Sequence, residues 1–155
     1  MATKILFAIT ILAYAIIVSQ AFMYILSLRS VQANLDARAY IQLRKLTDTS
    51  MRRTFKYVIY VALLANLMLV VATARTPDSL HFVSSTIALV ALIAEVLLAL
   101  KGNIPLNDVI NGWSGDNFPA DWASVREKWF VVFQYRQIVT ITGFVALLIG
   151  VVFGN

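Results

Sequence analysis

Residues 82–111 read "FVSSTIALVALIAEVLLALKGNIPLNDVIN" and contain the two features that decide the fold. The part from Phe82 to Leu100 is apolar except for three hydroxyl residues and Glu95, and it has the length of a bilayer span, about 20 residues. The chain then turns polar, and Asn103, Asn107 and Asn111 follow at i, i+4 and i+8. On a helix these three amides form one stripe. The segment therefore predicts a membrane span that continues into a helix with an amide-lined face.

Composition extends this prediction to the whole chain. Of its 155 residues, 60% are hydrophobic and 14% are charged, whereas a soluble domain carries about 25% charged residues. Mean hydropathy is +0.78. We predict an all-α, polytopic membrane protein, a four-transmembrane-helix bundle that forms a single membrane domain over residues 1–155. The predicted spans are residues 5–28, 55–74, 82–100 and 130–153.

The distribution of charge predicts the orientation of the spans. Residues 29–56 hold seven cations and only two acidic residues, whereas the connector 75–81 holds a single cation. By the positive-inside rule the basic loop is cytoplasmic, which places both termini outside the cytoplasm. We expect an integral protein of a bacterial inner membrane. The net charge of +5 then reflects orientation and contact with membrane lipids, and no nucleic acid partner is expected.

Metal and thiol chemistry find little support in the sequence. The chain has no cysteine and one histidine, so it cannot build a Cys/His metal site by itself. We expect no metal and no cofactor.

Two helices are predicted at the inner membrane surface. Residues 31–49 are amphipathic, with apolar side chains at helical spacing, and are predicted to form an interfacial helix between spans 1 and 2. A second helix is expected to begin after Asp121, as its N-cap, and to run without a break through the fourth span. Asn103 is expected to cap a short helix with Pro105 in its first turn, and Asn107 to turn into the bundle.

Glu95 and Arg136 are predicted to pair. Glu95 is the only carboxylate in any predicted span, and Arg136 lies in the fourth span. Each is six residues from the inner end of its span, which gives both a depth of roughly 9 Å. An unpaired charge in hydrocarbon is costly, so two opposite charges at one depth on antiparallel spans should meet.

Further polar and aromatic side chains lie toward the same, inner side of the spans. They suggest a polar, aromatic-edged cavity open to the cytoplasm that accepts a small molecule. A buried hydrogen-bond network that only holds four helices together is the other interpretation. The residues proposed to contact a ligand are Gln20, Tyr24, Tyr60, Trp129, Phe133 and Gln134.

The stretches "GNIPLNDVI" and "DWASVREKWFVVFQYR" resemble the anthrone oxygenase-like family of small four-span membrane proteins. The family pattern is Asn-x-Pro-Leu-Asn after the third span, then a Trp seven residues before an Arg. Asn103 and Asn107 match the first motif, and Trp129 and Arg136 match the second. The family often has Asn three residues before that Arg, where this chain has Phe133.

The resemblance implies oxidation of an anthrone-type aromatic by O₂ without a cofactor. Such a reaction needs a base and an oxyanion stabiliser. Glu95 would be the base, and Arg136 with the amides of Asn103 and Asn107 would stabilise the oxyanion. A carboxylate held by an arginine is a weak base, however, and a permanent salt bridge would make Glu95 structural.

A non-catalytic function is the alternative. The chain would then be a small membrane subunit, or a scaffold that binds quinone or lipid, as a homo-oligomer or in a larger membrane complex. Its short extramembrane segments and its helices, which are apolar all round, favour this reading.

Overall fold

A computed structural model of the protein describes residues 2–114 and 116–154. The described residues form helices and no strands. The order is α1 (Ala2–Met23), a π-helical segment π1 (Tyr24–Leu28), α2 (Arg29–Ala33), α3 (Ala37–Thr73), α4 (Leu80–Leu98), a second π-helical segment π2 (Ala99–Asn103), α5 (Ile104–Asn111) and α6 (Trp122–Phe153). The predicted all-α fold is confirmed.

Four continuous helices are long and apolar enough to cross a membrane: residues 3–33, 37–73, 80–111 and 122–153. All four extend beyond the apolar runs at one end, the end that carries the basic loop, which we call the inner end. The 37 residues of α3 and the 32 residues of α6 give lengths of about 55 Å and 48 Å. The helices therefore build a second layer below the spans, and this layer positions most of the polar residues discussed below.

The prediction of a separate interfacial helix between spans 1 and 2 is wrong, because most of this segment is the first part of the long helix α3. α3 begins after Asp36, whose carboxylate accepts the N–H of Ala39 at 2.9 Å, and continues into the second span. No Gly or Pro interrupts residues 37–73, so nothing breaks the helix. The amphipathic face of its first turns buries Tyr40 and Ile41 inside the protein instead of facing the membrane surface.

The start of α6 is as predicted, with one difference. The helix runs unbroken from Trp122 to Phe153, and Asp121 occupies the N-cap position. Its side chain makes no capping hydrogen bond; the backbone carbonyl of Asp121 accepts the N–H of Ser124 at 2.8 Å instead.

Two clusters of buried side chains form the core. The outer cluster fills the bundle between the spans and consists of Phe7, Ala13, Tyr14, Ile17, Ala62, Leu69, Ala88, Leu92 and Leu147. The inner cluster lies where the helices extend past the spans and consists of Tyr24, Tyr40, Ile41, Ile110, Trp129, Phe130 and Phe133. The outer cluster is mainly aliphatic and the inner one mainly aromatic.

Glycines allow α6 to approach its neighbours closely. A Cβ on Gly143 would lie 2.0 Å from the Tyr14 hydroxyl, and a Cβ on Gly150 would lie 1.9 Å from Ser84 Oγ. Small residues at helix contacts are the usual route to tight packing inside membranes. This packing fixes α6 against α1 and α4, and so fixes where the polar side chains of α6 lie.

The topology can be tested by site-directed labelling, because the chain has no cysteine of its own. Leu46→Cys and Ala120→Cys, both at exposed positions of the inner end, should react with a membrane-impermeant maleimide only from the cytoplasm. Asp78→Cys, in the exposed α3–α4 connection, should react only from the other side, since the basic segment is retained inside. Labelling of Leu46→Cys from outside would overturn the orientation.

Candidate functional site

Glu95 and Arg136 form the predicted ion pair between α4 and α6. Arg136 donates to Glu95 Oε1 from Nη2 at 2.6 Å and from Nε at 3.0 Å. The side chains are 13% and 5% exposed, so the pair is enclosed by protein. Arg136 Nη1 also donates to Asn103 Oδ1 at 3.0 Å. The pair is confirmed, and it extends into the asparagine stripe.

Asn103 links α6 to the end of the third span. Its amide donates to the backbone carbonyl of Trp129 at 3.0 Å while its oxygen accepts from Arg136. The prediction that its side chain caps α5 is wrong. Asn103 is the last residue of π2, and the N–H of Ile104 bonds to the carbonyl of Ala99, so the helix continues into α5 without needing a cap.

Asn107 is the hub of the inner layer. It donates to Asp48 Oδ1 at 2.8 Å, and its Oδ1 accepts from Arg44 Nη2 at 2.9 Å and from Trp129 Nε1 at 2.8 Å. Asn111 completes the stripe by donating to Asp48 Oδ2 at 2.7 Å. Each asparagine therefore bonds to another helix, and together they join α5 to α3 and α6.

Arg44 and Asp48 belong to this network, although they were not among the predicted site residues. They are 4% and 6% exposed, in a segment predicted to form a helix on the inner membrane surface. Their spacing of four residues on the face that carries Tyr40 and Ile41 was the available signal. Gln32 was missed too; it donates to the Tyr24 hydroxyl at 2.8 Å, and Arg44 donates to the same oxygen at 3.2 Å.

The predicted aromatic slot is occupied by the protein's own side chains. Trp129 and Phe133 stack with centroids 5.0 Å apart, and Tyr24 lies 4.4 Å from Phe133. The guanidinium carbon of Arg44 lies 3.9 Å from the centre of the Trp129 ring, where a flat ligand would otherwise stack. The space beside Glu95 and Arg136 is only about 10 Å³, which is room for one water molecule.

The remaining predicted residues separate into three places. Gln20 borders the small space beside Glu95 and Arg136 and lies 3.4 Å from Met51 Sδ. Tyr60 is 60% exposed and contacts Tyr57 on the outer face of α3, away from the ion pair. Its assignment to the slot has no support in this geometry, because residue 60 falls on the lipid-facing side of the helix. Gln134 is exposed and borders a groove.

That groove lies between the inner end of the first span and α6. Its volume is about 290 Å³, close to the lower limit of ordinary ligand pockets, about 300 Å³. Among the predicted site residues, Tyr24 and Gln134 line it. Its remaining lining residues are Ile25, Arg29, Gln137, Ile138 and Ile141. It opens on the outer surface of the helix bundle, where Ile25 and Ile138 are more than half exposed.

Gln137 connects the groove to the ion pair. Its side chain borders both spaces, and its amide lies 3.5 Å from the Ala21 carbonyl. Glu95 lines the small space and does not line the groove. A molecule in the groove would therefore contact Gln137 and Gln134 before it could reach the carboxylate.

Comparison of the chain with protein-family models, with curated proteins and with solved structures finds no match. Within residues 2–114 and 116–154, no three His, Asp or Glu side chains come close enough to hold a metal ion. The arrangement of the site itself must therefore support any proposal about function.

Replacing Asn107, which bonds to both α3 and α6, should destabilise the protein. Asn107→Leu removes one hydrogen bond each from Arg44 and Asp48 and leaves the buried Trp129 N–H without its partner, so we expect a loss of ~3–5 kcal/mol in the free energy of unfolding. Asn111→Leu is the matched control: Asn111 is exposed and Asp48 keeps its bonds to Asn107 and Arg52, so the loss should stay below about 1 kcal/mol. Unfolding in detergent micelles measures both. Equal losses would show that Asn107 has no special role.

Proposed function

We propose that the protein takes a ring-containing amphiphile, an aromatic or quinone-like molecule, from the inner leaflet of the membrane into the groove between the first span and α6. The observation that supports this proposal is the groove itself, with about 290 Å³ of space that opens on the outer surface of the helix bundle. Ligand sites are usually concave and mostly apolar, with a few polar groups that orient the ligand. The groove has this composition.

The polar groups of the groove favour a ligand that carries oxygen atoms. Gln134 is exposed within a predicted span and makes no side-chain hydrogen bond to another residue of the described chain. An amide facing hydrocarbon without a partner is unfavourable. A quinone carbonyl or a phenol hydroxyl would satisfy it, while Ile138, Ile141 and Ile25 would contact the ring.

Oxidation is the reaction to which the family resemblance points. An anthrone would lose its two methylene hydrogens and gain one oxygen from O₂; the second oxygen would leave with those hydrogens as water. Gln134 and Gln137 would donate hydrogen bonds to the oxyanion that forms when the methylene loses a proton. Both close bonds from Arg136 go to Oε1 of Glu95, so Oε2 would be the oxygen that accepts that proton.

A non-catalytic subunit is the second candidate, and α3 favours it. Only 22% of the apolar window of α3 is buried inside the protein, against 33–39% for the other three helices. Its outward face is apolar at helical spacing, with Tyr57, Leu64, Met68 and Val71 all at least half exposed. A second copy or another membrane helix would fit along this face.

A large side chain introduced into the groove should prevent the ligand from binding. Gln134→Trp places a large ring in the groove, whereas the neighbouring change Tyr135→Trp adds a similar ring at a position, 59% exposed, that does not line it. We expect mass spectrometry of gently solubilised wild type and Tyr135→Trp to detect an aromatic or quinone compound. Gln134→Trp should retain at most about one tenth as much, because the filled groove leaves no room.

Two outcomes would contradict the proposal: lipid alone in every preparation, or equal retention of the ring compound by Gln134→Trp. The same preparations distinguish the two candidates when they are supplied with an anthrone and O₂. Oxygen uptake that is lost in Gln134→Trp supports the oxygenase, and binding without oxygen uptake supports the subunit.

A further inference from the structure

The π-helical segment π1 places Tyr24 and Arg29 on one wall of the groove. The N–H of Arg29 bonds to the carbonyl of Tyr24, five residues back, as in a π-helix. In an α-helix, residues five apart point about 140° away from each other. The wider π turn reduces this angle, and both side chains line the groove. Single π turns occur often at functional sites.

Arg29 is a cation whose charge no protein group balances at this site. Its side chain forms no ion pair or side-chain hydrogen bond with another residue among 2–114 and 116–154. Other arginines of the inner end do have partners: Arg52 pairs with Asp48 and Asp108, and Arg136 pairs with Glu95. No acidic residue lines the groove. The groove therefore carries a net positive charge at its polar end.

The groove also offers donors beside that charge. Gln134 and Gln137 each bring an amide to the same space. A cation with two amides is a good environment for a delocalised oxyanion, because hydrogen bonds to an ionised acceptor are about twice as strong as neutral ones.

We propose that this groove recognises a ring compound whose head is negatively charged, such as an ionised phenol or enol, and that Arg29 is the residue that selects the charge. The inference rests on the proposed ligand groove and adds the charge of the ligand to it. The volume favours one ring system over a two-chain lipid, and the Tyr24 ring on the wall favours a flat partner.

Two probes of nearly equal shape test the charge. 2-Hydroxy-1,4-naphthoquinone is an anion at neutral pH, and its 2-methoxy analogue is neutral. Binding is measured by equilibrium dialysis against the full chain in phosphatidylcholine nanodiscs, with protein-free nanodiscs subtracted. We expect wild type to bind the anion about tenfold more tightly than the neutral probe, the effect of one charge-assisted contact.

Three variants assign the preference to Arg29. Arg29→Gln should reduce the difference between the probes to less than about twofold, while Arg29→Lys should retain most of it. Arg53→Gln removes the same charge from an exposed position of the inner end that does not line the groove, so it should behave as wild type.

Each contrary result has a distinct meaning. If neither probe binds, the proposed groove site fails together with the inference. If both bind equally and Gln134→Trp abolishes both, the groove stands and the selection of charge is wrong. If Arg53→Gln acts like Arg29→Gln, the preference is a general surface-charge effect. If phosphatidylglycerol displaces the anionic probe, the site belongs to an anionic lipid headgroup instead of a ring compound.

Discussion

Neither Glu95 nor Arg136 can lie in a membrane-spanning helix alone, because a single charge at the middle of a span costs about 3 kcal/mol or more. The two residues form an ion pair between α4 and α6 instead, with Arg136 Nη2 2.6 Å from Glu95 Oε1. A short, enclosed contact of this kind permits only a narrow range of helix registers. Once the register is fixed, Gly143 and Gly150 of α6 lie against Tyr14 and Ser84, and Asn103 lies within reach of Arg136.

The asparagines extend the pairing from the span into the inner layer. Asn103 accepts from Arg136, Asn107 joins α5 to α3 and α6, and Asn111 holds Asp48. Amides suit this task because each one donates and accepts without adding a charge. This has a consequence for function, because side chains that are hydrogen-bonded within the protein are not free to bind a ligand. For this reason we propose the groove, where Gln134 makes no side-chain hydrogen bond within the described chain, as the ligand site in place of the ion pair.

Hydropathy and depth were sufficient to predict the four spans, the long α6 and the meeting of Glu95 with Arg136. These features follow from the cost of placing polar groups in hydrocarbon, which acts on every residue in the same way.

The inner layer was harder to predict. Arg44 and Asp48 lie among cations that look solvated, and only their burial under α5 shows that they belong to the core. Tyr60 was placed at the right depth but on the wrong face, since depth does not specify rotation about the helix axis. The groove depends on the π turn at Tyr24–Leu28, and no Gly or Pro in this segment marks the turn.

A double-mutant cycle on the ion pair is the most direct measurement of whether it organises the structure. Glu95→Gln and Arg136→Gln should each lower the free energy of unfolding in detergent by ~3–5 kcal/mol, because the surviving charge is left buried without its partner. The double variant should be clearly more stable than the sum of the two losses predicts, since two neutral amides can bond to each other and to Asn103. Additive losses, with no recovery in the double variant, would mean that the two residues do not depend on each other, and the ion pair would lose its place as the constraint that fixes the bundle.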